Sequence, residues 1–456
     1  MRHALYVATI FAFAAAATAA RASNLVQNPE FDDGLAGWTL ASSPGALGLV
    51  DNAGVPSAPS LRVTGDSTAP DAAALSSCIQ IDDSAHVDFF AYALSGLGSA
   101  VAGFQAYSDT ACTAPLSAIA TTPDGALPYW HEIGFTDQPL PAGTRSAQVL
   151  LTSEASAQDV FGDILYDHIA FGPTGTIPGD RIAIAQEGLT GTWYNPDTSG
   201  QGFEFVIDPG TSGGNGSLFG AWFTYDVDAG GPDSQRWFSL QATFGPNDAS
   251  ANVTIYQNVG GNFDSPPSTT AVAVGTGTLT FFSCESGLFT YSFDGGLEGS
   301  VPIRNLLPNV ECGGAEPPPL SDFGFTGAWY DPTTSGQGIV AEVNPVDAQV
   351  FVGWYTYSLG HEGGDASQQR WFSAQGAYQV NTDQMDLTVY SSTGGEFDSS
   401  AGTVTTQPVG TATLTFLTCF DATLDYSFTD GELAGLSGTI DLTRLGAALE
   451  SCPLAR

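Results

Sequence analysis

Two segments in the second half of the chain repeat the same residues in the same order. The matching pairs are LTGTWYNPDTSGQG at 189–202 with FTGAWYDPTTSGQG at 325–338, SQRWFS at 234–239 with QQRWFS at 368–373, and NFDS at 262–265 with EFDS at 396–399. Such a pattern indicates two copies of one structural unit. A residue kept in both copies is therefore a candidate for a shared role, and a residue present in only one copy cannot belong to a shared site.

Each copy divides into about eight short runs that are typical of β-strands. The runs are rich in Thr, Val, Phe, Tyr and Trp and are separated by Gly, Asn-Pro and Asp-Gly, whereas helical periodicity is almost absent. Eight consecutive strands with tight connections favour an up-and-down barrel, which leaves no exposed sheet edge. A two-sheet sandwich is the alternative.

The chain divides into segments that predict export and three domains. Residues 1–22 carry Arg2 and His3, an Ala-rich apolar run and a small-x-small ending, which predict a signal peptide and a secreted protein, extracellular or periplasmic. No later apolar stretch reaches the roughly 18 residues that a membrane span needs, so we expect no membrane insertion.

The predicted segments are a first domain at 24–172, a linker at 173–187, the first repeat at 188–312, a Pro-rich linker at 313–321 and the second repeat at 322–456.

The six cysteines fall two to each predicted domain. Cys78 and Cys112 lie in the first domain, Cys284 and Cys312 in the first repeat, and Cys419 and Cys452 in the second repeat. Although six cysteines can pair in 15 ways, one disulfide per domain is the simplest arrangement. The alternative, a metal site, lacks both CxxC spacing and a recurring His.

The charge balance excludes some partners. The chain has no Lys, ten Arg and 48 acidic residues, with a net charge of −38. Nucleic acid and anionic membranes would be repelled, so neither is an expected partner. An acidic coat that keeps a secreted protein dispersed explains this composition.

The two ends of the first domain resemble the jelly-roll carbohydrate-binding modules attached to bacterial polysaccharide hydrolases. The domain opens with NLVQNPEFDDGLAGW and closes with FGDILYDHIAFG. The resemblance implies a β-sandwich jelly roll whose ends lie side by side and hold a structural calcium, which would place Asp32 near Asp167. Carboxylate pairs at strand ends suit a hard cation such as calcium. No other cofactor is expected.

Sugar-binding modules use aromatic rings against the apolar face of a sugar. Tyr92, Tyr107, Tyr129 and Trp130 are candidates by this chemistry. For Trp130, as for Trp38, the resemblance also implies a position in the domain core.

The repeats resemble the calycin barrels, the lipocalins and avidins, at two positions. Trp193 and Trp329 lie in Gly-x-Trp first strands, and Arg304 and Arg444 lie in the last strands. In lipocalins such an Arg packs across the Trp and closes one end of the barrel. The resemblance therefore implies a structural role for both pairs, through a cation–π contact.

A polar stripe around one Trp also recurs in both copies. Because side chains alternate along a strand, Gln235, Trp237, Ser239 and Gln241 should share one face, and Gln369, Trp371, Ser373 and Gln375 the matching face. This face would suit a sugar or another small polar ligand. The alternative is that the amides pair with neighbouring strands or loops while the Trp fills a core.

The repeats give no support for catalysis. Glu204 aligns with Val340 and Glu342 with Val206, so the repeats share no pair of glutamates that could act as glycosidase acid and nucleophile. Asp264 with Asp398 is the one secure acidic match.

We therefore predict an all-β, secreted, non-catalytic protein: an N-terminal jelly roll followed by two homologous antiparallel barrel-like repeats of about eight strands each. The expected ligand is extracellular polysaccharide or cell-surface glycan. The alternatives are small-molecule binding in the barrel lumens and an architectural role at a surface or in a matrix.

Overall fold

The chain folds as strands, turns and a few single-turn helices. The computed structural model describes residues 24–454 except for 42–43, 57, 82–85, 157–158, 176–180, 199, 211–213, 229, 309, 311, 313–320 and 361–362. Within these residues no helix has the length and apolar character needed to cross a membrane. The predicted all-β class is confirmed. The predicted signal peptide and most of the Pro-rich linker lie outside the described residues.

Strands β1 to β11 form two antiparallel sheets that face each other, and we call this unit the N-terminal sandwich. One sheet has the order β1-β4-β10-β7-β8, with β5 beside β10, and the other has the order β2-β3-β11-β6-β9. The strands span Trp38–Leu40, Ala46–Val50, Ser60–Thr64, Ala72–Ser76, Ile79–Gln80, His86–Leu97, Ser99–Tyr107, Pro115–Ala120, His131–Pro139, Ser146–Glu154 and Asp163–Pro173.

The core of the N-terminal sandwich follows from a two-residue period. In β10, Ala147, Val149 and Leu151 are buried, while the residues between them are partly exposed. On the facing sheet, Phe89 and Tyr166 fill the same core. Alternate residues of a strand point to opposite faces, so each sheet buries one apolar face against the other.

The two repeats form two closed, eight-stranded antiparallel barrels. In the first barrel, β12 to β19 span Gly191–Tyr194, Gly202–Asp208, Gly216–Tyr225, Gln235–Phe244, Ser250–Gln257, Val272–Phe281, Ser286–Phe293 and Glu298–Asn305. In the second barrel, β20 to β27 span Gly327–Tyr330, Gly338–Asn344, Gln349–Tyr357, Gln369–Ala377, Gln384–Thr393, Thr405–Phe416, Asp421–Phe428 and Ser437–Leu445. The last strand of each barrel pairs with its first strand, so neither barrel has a free edge.

Short 3-10 helices flank the first, third and fourth strands of the barrels. They span Glu187–Leu189, Pro196–Thr198, Pro232–Ser234, Asp322–Phe325, Pro332–Thr334 and Ala366–Gln368. Pro332 follows Asp331, whose carboxylate accepts a hydrogen bond from the Thr333 backbone N–H at 2.7 Å. The Asp-Pro sequence therefore encodes this turn directly, because Asp caps it and Pro has the right φ.

The three predicted disulfides are formed, one per domain. They join Cys78 to Cys112, Cys284 to Cys312 and Cys419 to Cys452. Each closes a loop of 28 to 34 residues. Loops of this size restrict the unfolded chain enough to stabilise a fold by about 3 to 4 kcal/mol.

Aromatic and aliphatic side chains fill both barrel lumens. The first lumen is packed around Trp193, Trp222 and Phe289, and the second around Trp329 and Trp354. A ligand-binding lumen, one of the alternatives predicted from the sequence, requires an open cavity there. The described lumens are instead packed protein cores, because large residues from alternate positions of every strand meet at the barrel axis.

Some barrel strands are buried on both faces. Every residue of strand β13 from Gly202 to Ile207 is buried, and so is every residue of β14 from Gly220 to Tyr225. By contrast, β26 alternates between buried and exposed residues. Burial on both faces means that a second layer covers the outside of each barrel on this side.

Candidate functional site

The repeated Gln-Arg-Trp motif lies where the two barrels meet. Gln235 Nε2 donates to the backbone carbonyls of Trp371 (2.9 Å) and Ser392 (3.0 Å) of the second barrel. Gln369 makes the equivalent bonds, to Trp237 (2.9 Å) and to a carbonyl in the loop after β16 (3.0 Å). These reciprocal contacts relate the barrels by an approximate twofold axis, as in an isologous dimer.

The tryptophans of the same motif cross the interface in the same way. Trp237 Nε1 donates to the Thr356 carbonyl at 3.1 Å, and Trp371 Nε1 donates to the Thr224 carbonyl at 2.9 Å. Both rings are at least 95% buried. Their polar and apolar parts are therefore both used in holding the barrels together.

The repeated Phe-Asp-Ser loops are exchanged between the barrels. Phe263, from the loop after β16, packs against Trp354 of the second barrel with ring centroids 5.5 Å apart. Phe397, from the equivalent loop, packs against Trp222 of the first barrel at 5.1 Å. Each barrel thus closes one end of the other.

The carboxylates of these loops are anchored by tyrosines of the opposite barrel. Asp264 accepts a hydrogen bond from Tyr426 at 2.7 Å, and Asp398 accepts one from Tyr291 at 2.8 Å. Burial raises the pKa of Asp398 to about 7. The one acidic match between the repeats is therefore an interface contact.

The repeated Ser-Gly-Gln-Gly segments receive the exchanged loops. Gln201 donates to the Glu396 carbonyl at 3.1 Å and accepts from the Asp398 N–H at 3.1 Å. Gln337 makes the equivalent pair with Asn262 (2.9 Å) and Asp264 (3.2 Å). An interface that uses the same patch on both partners needs the same residues twice, which explains why these motifs recur.

The predicted polar stripe is consequently not an open ligand face. Side chains alternate as predicted, with Phe238 and Leu240 in the lumen, but Gln235 and Gln369 are completely buried against the opposite barrel. The remaining stripe amides, Gln241 and Gln375, are exposed. Whether these positions bind a ligand stays a prediction for the exposed part of the stripe.

The two predicted Trp–Arg pairs differ. The Arg444 guanidinium lies 4.2 Å from the centroid of the Trp329 ring and donates to the carbonyl of Cys419 at 2.6 Å. In the first barrel, however, Trp193 lies opposite Asn305 on the last strand, so Arg304 is shifted by one position and points outward. The predicted equivalence of Arg304 and Arg444 is wrong, because a one-residue shift moves a side chain to the other face of the strand.

Two glutamates that the repeats do not share also meet at the barrel interface. Glu204 accepts from the Gly353 N–H at 3.0 Å and from the Tyr355 hydroxyl at 2.6 Å, and Glu342 accepts from the Thr192 N–H at 2.7 Å. Burial raises the pKa of Glu204 to about 8 and that of Glu342 to about 7. Each glutamate thus binds across the interface.

The N-terminal sandwich packs against the outside of the first barrel. Tyr92 and Trp130 of the sandwich form a buried cluster with Phe282 and Leu288 of the barrel. The Tyr92 ring meets the Phe282 ring edge-on at 5.4 Å between centroids. Tyr92 points away from the sandwich core because its neighbours Ala91 and Ala93 point into it.

Beside this contact lies the interdomain cleft, a cavity of about 670 Å³. Its sandwich side carries Tyr92, Tyr129, His131 and Glu132, and the following segment adds Arg181. The barrel side is lined by Ser250, Asn252, Val253, Thr254, Thr276, Gly277, Thr278, Thr280, Leu288, Thr290, Tyr291, Ser292 and Glu298. A volume of this size lies within the usual range of ligand sites, about 300 to 1,000 Å³.

The barrel wall of the interdomain cleft is an ordered array of hydroxyl groups. Thr278 lies opposite Asn252 on one side and Thr290 on the other. Thr276 likewise lies between Thr254 and Ser292. The alternation of the strands places their Thr and Ser side chains outward, in rows across the three strands β16 to β18, where each hydroxyl can donate and accept hydrogen bonds.

The sandwich side of the cleft supplies charge and an aromatic ring. Glu132 pairs with Arg181 and accepts a hydrogen bond from the Tyr92 hydroxyl at 3.2 Å. The half-buried Tyr129 donates to Glu298 of the barrel at 3.4 Å. Burial beside Glu298 raises the pKa of Tyr129. The cleft thus combines a ring face, charged donors and acceptors, and hydroxyl rows.

The remaining predicted aromatic residues lie elsewhere. Tyr107 is on the other sheet of the sandwich, where its hydroxyl donates to Gln148 at 2.6 Å. Trp130 is 4% exposed and lies between the sandwich and the first barrel, not in the sandwich core. Trp130 also borders a second cavity of about 380 Å³, together with the outward-pointing Arg304.

The predicted calcium ligands lie at the sandwich ends. Asp167 is buried, and its two carboxylate oxygens accept hydrogen bonds from the backbone N–H groups of Val55 (2.8 Å) and His168 (2.9 Å). Burial, together with the nearby charges of Glu30 and Asp32, raises the pKa of Asp167. Among the described residues no three His, Cys, Asp or Glu side chains are arranged as metal ligands. The described side chains do not form a complete site, so calcium stays a prediction.

Several residues of the site were not identified from the sequence. His131, Glu132, Arg181 and Glu298 occur once, so the repeat comparison could not select them. The barrel interface did have a signal, which is the mostly apolar character of GFEFVI and FGAWFTY in β13 and β14, interrupted by Glu204 and Thr224. Strands buried on both faces show this pattern.

No protein-family model matches the chain, and no curated protein matches it. Among solved structures it is similar to the enzymatically active domain of bacteriophage CBA120 tailspike protein 4 (13% identity, TM-score 0.27) and to an arabinose-bound MgGH51 α-L-arabinofuranosidase (15% identity, TM-score 0.26). The matches cover 33% of this chain and only 21% and 26% of those chains.

The chain is also similar to the carbohydrate-binding module TmCBM61, solved in complex with β-1,4-galactotriose (10% identity, TM-score 0.25), with 33% of this chain and 98% of that chain covered. Carbohydrate-binding modules and glycoside hydrolases are thus among the structures that it resembles, at low identity and coverage. None of the structures named here is a calycin, so that resemblance stays a prediction.

Proposed function

We propose that this protein binds an extracellular glycan, without catalysis, in the interdomain cleft between the N-terminal sandwich and the first barrel. The observation that carries the proposal is the combination, in one cavity of about 670 Å³, of a half-buried aromatic ring with rows of outward hydroxyls. Three disulfides support a location in an oxidising compartment outside the cytoplasm.

The cleft has the groups that a sugar chain needs. A sugar ring has an apolar face, which packs on an aromatic side chain such as Tyr129, and hydroxyls at its rim, which pair with polar side chains. The carboxylates of Glu132 and Glu298 accept such hydroxyls strongly because charged acceptors make shorter and stronger hydrogen bonds. The threonine rows add uncharged partners at the regular spacing of the strands.

The barrel wall of the cleft consists of hydrogen-bonded strands. Thr276 and Thr278 project from β17, which pairs with a neighbour on each side of a closed barrel. A site on rigid strands loses little conformational entropy when a ligand binds. Glycan binding in the cleft therefore does not require the barrel to rearrange.

The duplication offers a matched pair of variants for the test. Thr278 faces the cleft, whereas Thr413, its equivalent on β25, occupies the same position on the second barrel and lies opposite Asp386 and Asp425 on the neighbouring strands. Both threonines are partly exposed and point out of their barrels. Thr278→Arg should fill the cleft, while Thr413→Arg adds the same side chain at a position away from it.

The measurement is affinity electrophoresis of the full chain in gels that contain neutral, acidic or amino-sugar polysaccharides. We expect at least one polysaccharide to retard the wild-type protein and Thr413→Arg equally, and Thr278→Arg to bind it about tenfold more weakly or worse. Thermal unfolding of both variants checks that they are folded. Undiminished retardation of folded Thr278→Arg, or no retardation of the wild type by any of the three classes, would overturn the proposal.

A further inference from the structure

A further cavity lies on the seam between the two barrels, and we call it the seam groove. Its volume is about 260 Å³. The first barrel contributes Trp237, Ser239 and Gln241 from β15, and the second contributes Tyr330 from β20 and Tyr355 from β22. The groove is separate from the interdomain cleft, since the two cavities share no lining residue.

The lining of the seam groove is uncharged. Among the described residues that line it there is no Asp, Glu, His or Arg, although the chain contains 48 acidic residues. Its walls combine aromatic and aliphatic side chains with amides and hydroxyls. Burying a charged ligand without a partner costs several kcal/mol, so the groove selects an uncharged ligand.

The aromatic walls are held in place before any ligand arrives. Trp237 is fixed by its bond to the Thr356 carbonyl at 3.1 Å, and Tyr355 by its bond to Glu204 at 2.6 Å. Each ring is 5% exposed. Walls of this kind need no reordering on binding, which favours affinity.

The Gln241 amide is an exposed polar group that lines the groove. An amide offers two donors and an acceptor, which suits adjacent hydroxyls of a ligand. Gln241 belongs to the part of the stripe that the barrel interface leaves open.

We propose that the seam groove binds a single uncharged sugar ring, independently of the interdomain cleft. The volume lies just below the lower limit of about 300 Å³ for typical ligand sites, so one ring fits and a chain does not. The apolar face of the ring packs on the aromatic walls, and its hydroxyls pair with Gln241 and Ser239. The protein then has two sugar sites of different chemistry.

The test uses saturation-transfer NMR and titration of the full chain with glucose, galactose, mannose and N-acetylglucosamine. Gln241→Ala removes the exposed amide, and Ala271→Trp, at an exposed residue of the groove wall, obstructs entry. Gln375→Ala is the matched control, because Gln375 is the exposed equivalent on the second barrel. Thr278→Arg tests whether the sugar occupies the cleft instead.

We expect at least one of the four sugars to bind. Gln241→Ala should weaken binding about three- to tenfold, as for the loss of one or two neutral hydrogen bonds. Ala271→Trp should abolish it, while Gln375→Ala and Thr278→Arg leave it unchanged. Absence of binding by all four sugars, insensitivity to Ala271→Trp, or loss of binding in Thr278→Arg would each overturn the proposal. The last result would leave glycan binding in the cleft intact.

Discussion

At the scale of single residues, one position along a strand separates a structural arginine from a surface arginine. Arg444 points into the second barrel, where its guanidinium covers Trp329 and donates to the carbonyls of Thr326 (2.8 Å) and Gly324 (2.9 Å). Arg304 lies outside the first barrel. The guanidinium of Arg444 therefore joins the last strand to the turn before the first strand, whereas among the described residues Arg304 makes no equivalent bond.

We predict that Arg444→Ala lowers the free energy of unfolding by about 3 to 5 kcal/mol, because the carbonyls that it pairs would be left buried and unsatisfied. Arg304→Ala should change the free energy of unfolding by less than about 0.5 kcal/mol, as expected for a surface substitution. Urea unfolding followed by tryptophan fluorescence measures both. Equal effects of the two substitutions would contradict this assignment.

At the scale of elements, the loops after β16 and β24 are exchanged so that each closes the opposite barrel. Phe263 is 2% exposed within the second-barrel core, and its ring contacts Tyr426 at 5.7 Å and Phe428 at 5.8 Å. The loop is held at its base by Gln337. Each barrel thus depends on its partner for part of its own core, and the two barrels should unfold together.

Phe263→Ala tests this dependence. The substitution should lower the free energy of unfolding by about 3 to 5 kcal/mol, the usual range when a buried Phe is truncated. The residue belongs to the first repeat, but the cavity that the substitution leaves lies in the second barrel. Phe420→Ala is the control, because Phe420 is 39% exposed. Hydrogen exchange should show faster exchange in β22 and β26 of Phe263→Ala. Faster exchange confined to the first barrel would contradict the loop exchange.

At the scale of the whole molecule, we expect the buried carboxyls between the barrels to make the stability of the fold depend on pH. Burial, and to a lesser extent the nearby charge of Glu342, raise the pKa of Glu204 from 4.5 to about 8, although hydrogen bonds from Tyr355 and Gly353 act in the opposite direction. A carboxyl with a raised pKa in the folded state stabilises the fold fully below the pKa of the unfolded chain. The stabilisation is lost as the pH rises towards the raised value.

We therefore predict that stability falls as the pH rises from about 5 to about 8, by at most about 1.4 kcal/mol per pH unit for each such group. Glu204→Gln keeps an uncharged side chain of the same shape and should flatten this dependence. Glu285→Gln, at an exposed residue, should not. Urea unfolding at a series of pH values measures the slope. An unchanged slope in Glu204→Gln would show that this carboxyl does not ionise in the predicted range.

Much of the architecture could be predicted from local patterns. The repeats, the short alternating strands and the spacing of Cys78 with Cys112 depend on residues that are close in sequence, and the barrels and disulfides follow from them. The candidate site depends on surfaces that are distant in sequence. Glu132 and Glu298 line one cavity because a sandwich sheet packs on a barrel wall, and no local pattern specifies that contact.

The amino-acid sequence was enough to establish two like β units and the motifs that they share, and it favoured barrels over sandwiches. It did not show that the shared residues face each other. The packing of the domains places Gln235 and Gln369 across a twofold interface and makes the hydroxyl rows of β16 to β18 a cleft wall. Strand alternation is local and fixes which side chains point outward, whereas the packing of whole domains decides whether that outward face meets protein, ligand or water.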